Sequence, residues 1–344
     1  MGEQLSQYTT LRLGGPAQDL LTHTDPAAWP DLTHAARRYP EPPFMLGGGS
    51  NILAADTAYP GLVIRMATTG ITTRLVGDGA VEVTAQAGQP LHHLVTHAAA
   101  EQLSGIEYLA GIPGTVGAAP VQNTGAYGQQ IADTLTAVTA HDWHTGRTVR
   151  LPAASCGFGY RTSHFKAQPG RWTILTVTLR LTRSHHAAPI TYRHLADALD
   201  VPLGTRPPLP EAVAAVLADR RARGLLLPDD GPDSRQAGSV FLNPLLTPAQ
   251  AAAVHAAGGP LHRNADGEAV RASAGWLLQQ CGHHPGQRLA PGVYCSTRRA
   301  LTLVARDGAT ATAFAATLHT LASQVERQMG IRLRPEPVSV SPRP

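Results

Sequence analysis

One segment rich in glycine, residues 107–128, limits what this chain can fold into more than any other feature. It reads EYLAGIPGTVGAAPVQNTGAYG, and few side chains larger than valine lie between Thr115 and Pro120. Glycine contributes no side chain to a core, so such a segment cannot bury itself efficiently. The composition makes sense if a flat, extended ligand packs directly against the backbone. We therefore expect a ligand-binding loop here.

A second glycine loop lies earlier in the chain, at residues 47–51 (GGGSN). Consecutive glycines let the backbone bend tightly and present N–H groups to an anion such as a pyrophosphate. The loop is not a Walker loop, since no Gly-Lys-Ser/Thr follows, and its spacing differs from the Rossmann fingerprint. Alone, it is better interpreted as a plain turn. Together, the two loops predict a dinucleotide-sized cofactor, and two unrelated tight turns remain the alternative.

Strand-like and helical patterns alternate along the chain, which favours an α+β or mixed α/β fold. Runs rich in Val, Ile and Thr, or alternating in polarity, predict strands over residues 61–66, 80–87, 137–143 and 172–181. Apolar residues at steps of three and four predict helices over residues 27–38, 90–102 and 310–329. The proline-rich stretch 201–209 is the best candidate for a linker.

The composition of the chain limits the classes of protein to which it can belong. The 344 residues suffice for two or three compact domains, and the 43% hydrophobic content is typical of a globular protein. The net charge of +4 is spread along the chain, which favours an anionic small molecule over nucleic acid. We see neither a run of ~20 apolar residues nor a secretory signal, so we expect a cytoplasmic protein away from the membrane. Three scattered cysteines suggest neither disulfides nor a metal site.

Several further motifs occur in one order along nearly the whole chain. They are residues 8–17 (YTTLRLGGPA), 159–166 (GYRTSHFK), 237–244 (AGSVFLNP), 274–277 (AGWL) and 335–336 (PE). With the two glycine loops, they resemble the UDP-N-acetylenolpyruvoylglucosamine reductase family. Each motif is modest evidence by itself, but the ordered set is highly specific.

The resemblance implies a vanillyl-alcohol-oxidase-type FAD-binding fold of two small α+β subdomains, plus a separate α+β substrate-binding domain. We expect the FAD-binding domain over residues 1–205, with subdomains at about 1–68 and 69–205, and with residues 331–344 returning to the site. The substrate domain is then 206–330. The implied cofactors are tightly bound FAD and NADPH as hydride donor. The implied reaction reduces UDP-N-acetylglucosamine enolpyruvate to UDP-N-acetylmuramate in peptidoglycan precursor synthesis.

The resemblance also implies roles for individual residues. Arg161 and Glu336 are expected to stabilise negative charge on the substrate carboxylate, and Ser239 is the expected proton donor to its α-carbon. Substrate binding is expected from Tyr160, Tyr192, Asn243 and Gln287. The expected FAD-binding residues come from the two glycine loops: Gly47, Gly48, Gly49, Ser50, Asn51, Ile112, Pro113, Gly114, Thr115, Gly117, Ala118, Gln122, Asn123, Gly125 and Ala126. No metal is expected.

The substrate half matches the family less closely than the flavin half. Where similar members carry a lysine aimed at the substrate pyrophosphate, this chain has Leu226, and Arg220, Arg221, Arg223 or Arg235 are candidates to compensate. An arginine is not equivalent to a point-charge lysine. Two other functions stay open: an FAD oxidase of the same fold acting on another substrate, and a binding protein without catalysis. A monomer is the default expectation, with the UDP-sugar and NADPH as its partners.

Overall fold

A computed structural model describes residues 2–77, 79–228, 230–263 and 269–340. Residues 331–344 are predicted to return to the FAD-binding site, and the last four of them therefore lie outside the described residues. Its strands, numbered in chain order, are β1 Ala17–His23, β2 Phe44–Leu46, β3 Ile52–Ala54, β4 Tyr59–Met66, β5 Ile71–Leu75, β6 Ala80–Gln86, β7 Leu103–Ser104, β8 Gly125–Ala126, β9 Gln129–Gln130, β10 Leu135–Asp142, β11 Arg147–Pro152, β12 Trp172–Arg183, β13 Gln236–Ser239, β14 Leu261–Arg263, β15 Val270–Ala272, β16 Arg288–Ala290, β17 Val293–Cys295, β18 Thr302–Ala305 and β19 Val338–Val340. Its helices are α1 Trp29–Ala36, α2 Leu91–Ala100, α3 His164–Ala167, α4 Arg193–Ala198, α5 Leu209–Ala222, α6 Pro248–Ala256, α7 Ala274–Gln280 and α8 Ala311–Met329.

The chain folds into two compact units, each built from separate stretches of sequence. The first unit comprises Met1–Ala17, Gly49–Tyr59 and Pro228–Pro344, and the second comprises Gln18–Gly48 and Pro60–Leu227. The predicted domain boundary at residue 205 thus differs from the packing boundary after Leu227, because α5 packs with the second unit. The proline-rich stretch 201–209 lies inside that unit. Which ligand belongs to which domain stays a prediction.

The second unit is centred on an antiparallel sheet with strand order β11-β10-β12-β6-β5, and β7 also pairs with β12. Strands β10 and β11 form a hairpin, and Gly146 adopts the left-handed φ of 67° that its turn requires. Helix α2 buries Leu91, Leu94, Val95 and Ala98 against this unit's core, so the predicted apolar face is confirmed.

A smaller sheet of the second unit, with order β1-β4-β2, carries the first glycine loop. Strand β2 runs parallel to β4 and ends at Leu46, directly before Gly47. Helix α1 buries Trp29 in the same cluster as Leu62 and Ile64 of β4. The helix predicted over residues 27–38 is shorter than expected, because a 3-10 turn at Pro26–Ala28 precedes α1.

The first unit contains a sheet with strand order β13-β18-β17-β16 and the long helix α8. The side chain of Thr310 accepts a hydrogen bond from Ala313 N and caps the start of α8. Gly330, whose φ is 64°, follows the last residue of the helix as its C-cap. Its predicted apolar stripe is buried in the unit's core at Phe314, Leu318, Leu321 and Val325. Among the described residues, no helix combines the length and apolarity needed to cross a membrane.

Candidate cofactor and substrate site

The two glycine loops contribute to one cradle in the second unit. A Cβ atom added at Gly47 would lie 2.6 Å from Oγ1 of Thr115, and one added at Gly48 would lie 2.8 Å from the Cα of Gly114. Both distances are too short for a real side chain, so these glycines are required for the loops to approach each other. Gly117 packs equally closely on Ala87, where an added Cβ would lie 2.5 Å away.

Backbone N–H groups in this cradle are available to a ligand. Those of Gly48, Gly114 and Thr115 have no hydrogen-bond acceptor in the described parts of the chain. Gly114 has a φ of 111°, a conformation that side chains other than glycine rarely adopt. Unpaired donors on a backbone without side chains suit an anionic phosphate group packed against the loop. The residues present therefore fit the diphosphate of FAD.

Asn123 holds the second glycine loop in shape. Its side chain is 1% exposed, and Nδ2 donates to Oε1 of Gln130 at 2.9 Å and to the carbonyl of Gly159 at 3.1 Å. Its Oδ1 accepts from Ala132 N at 3.1 Å. The loop bends at Asn123, whose φ of 45° is left-handed. Because its side chain is occupied by the protein, any contact of Asn123 with FAD comes from its backbone.

Arg161 lies against the same loop. Its Nη2 donates to the carbonyl of Gly125 at 2.6 Å, and Nη1 donates to that of Asn123 at 3.3 Å. Its backbone has a left-handed φ of 53°, which strains a residue with a side chain. The neighbouring Ser163 donates to the carbonyl of Val121 at 2.6 Å. The structure thus joins the GYRTSHFK motif to the glycine-rich segment.

Tyr192 packs against a residue of the glycine-rich segment, Tyr127. The two rings meet edge to face, with centroids 5.5 Å apart. The hydroxyl of Tyr127 donates to Oδ2 of Asp219 at 2.7 Å. Burial and this hydrogen bond raise the pKa of Tyr127, so the phenol stays protonated at neutral pH. Tyr160, by contrast, is 41% exposed on the turn before Arg161.

Among the arginines considered as replacements for the missing lysine at Leu226, Arg220 has a structural role. It is 8% exposed, and its guanidinium donates to the carbonyls of Gly111 at 3.0 Å and Leu225 at 2.9 Å. Arg223 is only partly buried and forms an ion pair with Asp219 at 3.3 Å. Arg220 therefore stabilises the start of the glycine-rich segment, while Arg221, Arg223 and Arg235 remain candidates.

In the first unit, residues distant in sequence meet around Glu336. The backbone N–H of Glu336 donates to the carbonyl of Val240 at 2.9 Å, next to Ser239. Nδ2 of Asn51 donates to the carbonyl of Glu336 at 3.2 Å. Strand β19 continues this contact by pairing in parallel with β3. The fold therefore brings together the C-terminal Pro-Glu motif, the AGSVFLNP motif and the end of the GGGSN loop.

Ser239 has a neighbour that the sequence analysis missed. Nη2 of Arg299 donates a hydrogen bond to Oγ of Ser239, and the two atoms lie 3.4 Å apart. Both side chains are partly buried. No signal in the sequence distinguishes Arg299 from the other arginines of this arginine-rich chain, because the pair is separated by 60 positions.

The two remaining residues predicted to bind substrate already have contacts within the first unit. Oδ1 of Asn243 accepts from Ala274 N at 2.9 Å, at the start of α7. Oε1 of Gln287 accepts from His284 N at 3.2 Å and lies 3.2 Å from Nδ1 of His283. Both amide oxygens are thus occupied, so a ligand would be met by the amide nitrogens.

Two protein-family models match this chain. Residues 20–152 match a model described as an FAD binding domain. Residues 231–340 match one described as the C-terminal domain of UDP-N-acetylenolpyruvoylglucosamine reductase. The first match contains the Gly47–Gly48 cradle and the glycine-rich segment, and the second contains Ser239, Arg299 and Glu336.

Similar proteins extend the match to nearly the whole chain. The chain is 41% identical over 352 residues to the UDP-N-acetylenolpyruvoylglucosamine reductase of Salinispora arenicola, covering 98% of this chain and 94% of the relative. It is 39% identical to that of Thermobifida fusca, covering 98% and 96%. The fold is similar to the crystal structure of UDP-N-acetylenolpyruvylglucosamine reductase from Thermus caldophilus, with 27% identity, a TM-score of 0.66 and 98% coverage of each chain. The predicted vanillyl-alcohol-oxidase-type, α+β fold is confirmed.

Proposed function

The chain belongs to the UDP-N-acetylenolpyruvoylglucosamine reductase family, and on that premise we propose that it reduces UDP-N-acetylglucosamine enolpyruvate to UDP-N-acetylmuramate with NADPH as reductant. The observation that carries this proposal is the extent of the similarity, 41% identity over 98% of the chain. Both glycine loops lie in the match to the FAD binding domain, and Ser239 and Glu336 lie in the match to the C-terminal domain of the family. The product is a precursor of peptidoglycan, so the proposed role is in cell wall biogenesis.

FAD is the cofactor of the proposed reaction. The cradle at Gly47, Gly48, Gly114 and Thr115 would hold its diphosphate through backbone N–H groups. The other loop residues named above are proposed to contribute further contacts with FAD. Bound FAD supplies the hydride transfer from NADPH to the β-carbon of the enolpyruvyl group.

Arg161 is proposed to bind the substrate carboxylate, on which negative charge develops after hydride addition. Its guanidinium donates to two backbone carbonyls, at Asn123 and Gly125. A guanidinium presents five N–H donors in a rigid fork, a geometry that matches the two oxygens of a carboxylate. Anchoring by the loop fixes the direction of those donors, and preorganised donors stabilise charge in a transition state most effectively.

Ser239 is proposed to donate a proton to the α-carbon, and Glu336 to act on the same carboxylate as Arg161. The support is that the backbone of Glu336 is hydrogen-bonded to the residue after Ser239. A serine hydroxyl is a weak acid, so its conjugate base needs stabilisation. Loss of a positioned proton donor costs ~10²–10⁴-fold in rate.

The substrate itself is proposed to be held by Tyr160, Tyr192, Asn243 and Gln287. Tyr192 is the N-cap residue of α4, and its ring packs edge to face against the ring of Tyr127. We propose that it closes over bound substrate. We further propose that the protein works in the cytoplasm as a monomer, with the UDP-sugar and NADPH as partners and without binding to nucleic acid or membrane.

Steady-state turnover tests the proposed function. Purified protein with flavin absorbance is mixed with NADPH, with and without UDP-N-acetylglucosamine enolpyruvate. NADPH oxidation that requires the UDP-sugar, with a product that has gained one hydride and one proton, supports the proposal. If the protein consumes oxygen with NADPH at a rate that does not change when the UDP-sugar is added, it is an oxidase. Bound flavin with turnover in neither assay identifies a binding protein.

A further inference from the structure

Ser239 lies at the end of a bulged strand that fixes its position. It pairs with Thr302 across the β13–β18 ladder, and the register shifts between Gln236 and Ser239. Gly238, the residue before it, has a left-handed φ of 72°. A bulge next to a left-handed glycine redirects the following side chain. The bulge therefore accounts for the orientation of Ser239 without identifying what its hydroxyl does.

Arg299 forms a hydrogen bond with the hydroxyl of Ser239. It lies in the loop between β17 and β18, three positions before Thr302, the ladder partner of Ser239. Its Nη2 donates to Ser239 Oγ at 3.4 Å, which is long for a hydrogen bond to a neutral hydroxyl. Because guanidinium groups stay charged at all working pH values, the contact would shorten and strengthen if the oxygen became an anion.

The loop that carries Arg299 is held by a buried carboxylate, Asp233. This residue is 3% exposed, and it accepts from Ser296 Oγ at 2.7 Å, from Thr297 N at 2.9 Å and from Thr297 Oγ1 at 2.8 Å. Ser296 Oγ in turn accepts from Arg298 N at 3.1 Å. Hydrogen bonds to a buried carboxylate define a loop conformation closely. The backbone under Arg299 is therefore rigid, which limits the positions that its guanidinium can take.

A proton donor with the weak acidity of serine needs a cationic hydrogen-bond donor at its oxygen. We infer that Arg299 is the positioning residue for proton transfer by Ser239, and that Asp233 sets its place through the loop. This inference rests on the proposed function. In the step, the O–H bond of Ser239 breaks and its electron pair stays on Oγ, while the enolate electron pair of the substrate forms the new C–H bond at the α-carbon. Arg299 stabilises the alkoxide, which then takes a proton from water.

The test compares two half-reactions of the FAD-loaded enzyme under anaerobic conditions. In Arg299→Gln, flavin reduction by NADPH is expected to keep its wild-type rate. Reoxidation by UDP-N-acetylglucosamine enolpyruvate should slow by ~10²-fold, as for the loss of one donor to a developing oxyanion. The solvent isotope effect on reoxidation should increase, since proton transfer becomes slower. Asp233→Asn should show a smaller loss of the same kind.

The pH profile separates this role from a structural one. In Arg299→Gln, the fall of the reoxidation rate at high pH that reports ionisation of the Ser239 hydroxyl should shift to higher pH, and Arg299→Lys should restore part of the shift because it keeps the charge. Arg298→Gln, in the same loop but exposed, is the matched control and should behave as wild type.

Failure of the inference differs from failure of the proposed function. If the wild-type enzyme is not reoxidised by the UDP-sugar, the proposed function fails. If the wild type turns over but Arg299→Gln has the same reoxidation rate, isotope effect and pH profile, Arg299 does not position Ser239. Should Arg299→Gln not fold or retain FAD, Asp233→Asn decides: a wild-type rate and pH profile overturn the inference, and a slowed reoxidation with a shifted profile supports it.

Discussion

Nδ2 of Asn51 donates a hydrogen bond to the backbone carbonyl of Glu336 at 3.2 Å, although the two residues are 285 positions apart. Asn51 ends the first glycine loop, and Glu336 precedes the strand β19 that pairs in parallel with β3. The backbone N–H of Val338 returns a hydrogen bond to the carbonyl of Asn51 at 2.9 Å. This reciprocal contact places the backbone of Glu336, whose carboxylate is proposed to be catalytic, beside the end of a loop proposed to bind FAD.

Asn51→Ala should therefore impair the proton-transfer half-reaction through a change that touches no substrate. Losing the Nδ2 donor leaves the Glu336 carbonyl without this bond, at a cost of about 1–3 kcal/mol to the local structure. We expect slower substrate-dependent flavin reoxidation and a lower Tm. Ser339→Ala, which alters an exposed side chain of β19, is the matched control. Wild-type reoxidation and Tm in Asn51→Ala would show that the contact is dispensable.

Gly48→Ala should weaken FAD binding. The added Cβ would lie 2.8 Å from the Cα of Gly114, so the two glycine loops must separate. We expect FAD to bind about tenfold more weakly or worse, which corresponds to ~1.4 kcal/mol. The measurement is titration of the apoprotein with FAD, followed by flavin fluorescence. Gly275→Ala is the control, because its added Cβ meets neighbours only at 3.5 Å or beyond. If Gly48→Ala and the wild type bind FAD with equal affinity, the cradle does not hold the diphosphate of FAD.

Two buried histidines should make the second unit sensitive to acid. His23 and His141 both pack on Trp29, with ring centroids 5.2 and 5.5 Å away. Burial lowers the pKa of each, and Asp25 and Asp142 raise them only in part. Each histidine thus binds a proton more readily in the unfolded chain than in the folded one. Its contribution to the free energy of unfolding is fully present above pH ~6.5 and is lost as the pH falls below that value.

The measurement is Tm as a function of pH. Tm should fall as the pH drops below ~6.5, and less steeply in His141→Gln than in the wild type. His34→Gln, an exposed histidine of α1, is the control and should follow the wild-type curve. Parallel curves for His141→Gln and wild type would show that protonation of His141 does not limit stability.

Local features of this fold were predictable from sequence, because they depend on neighbouring residues. The apolar stripe of α8 and the apolar face of α2 follow from the spacing of apolar residues, and both are present. The glycine loops also predicted a cofactor cradle. Which atoms meet there was not predictable, since the close approach of Gly48 to Gly114 depends on the folded backbone.

Long-range contacts account for what the sequence analysis missed. Asp233 and Thr297 are 64 positions apart, and neither stands out in composition or spacing. Arg220 was a candidate for binding substrate, but burial and its bonds to Gly111 and Leu225 make it structural. Helix α5 packs with the second unit, which ends at Leu227, although the prolines at 201–209 suggested a linker before it; the predicted domain boundary at residue 205 stays a prediction.

The most direct test of the whole account is anaerobic stopped-flow on the FAD-loaded wild type and on Ser239→Ala. NADPH should bleach the flavin in both proteins at the same rate. UDP-N-acetylglucosamine enolpyruvate should then reoxidise the wild-type flavin rapidly, whereas product formation in Ser239→Ala should fall by ~10²–10⁴-fold. A wild-type flavin that NADPH bleaches but the UDP-sugar does not reoxidise would contradict the proposed reaction. Undiminished product formation in Ser239→Ala would contradict the role of its hydroxyl.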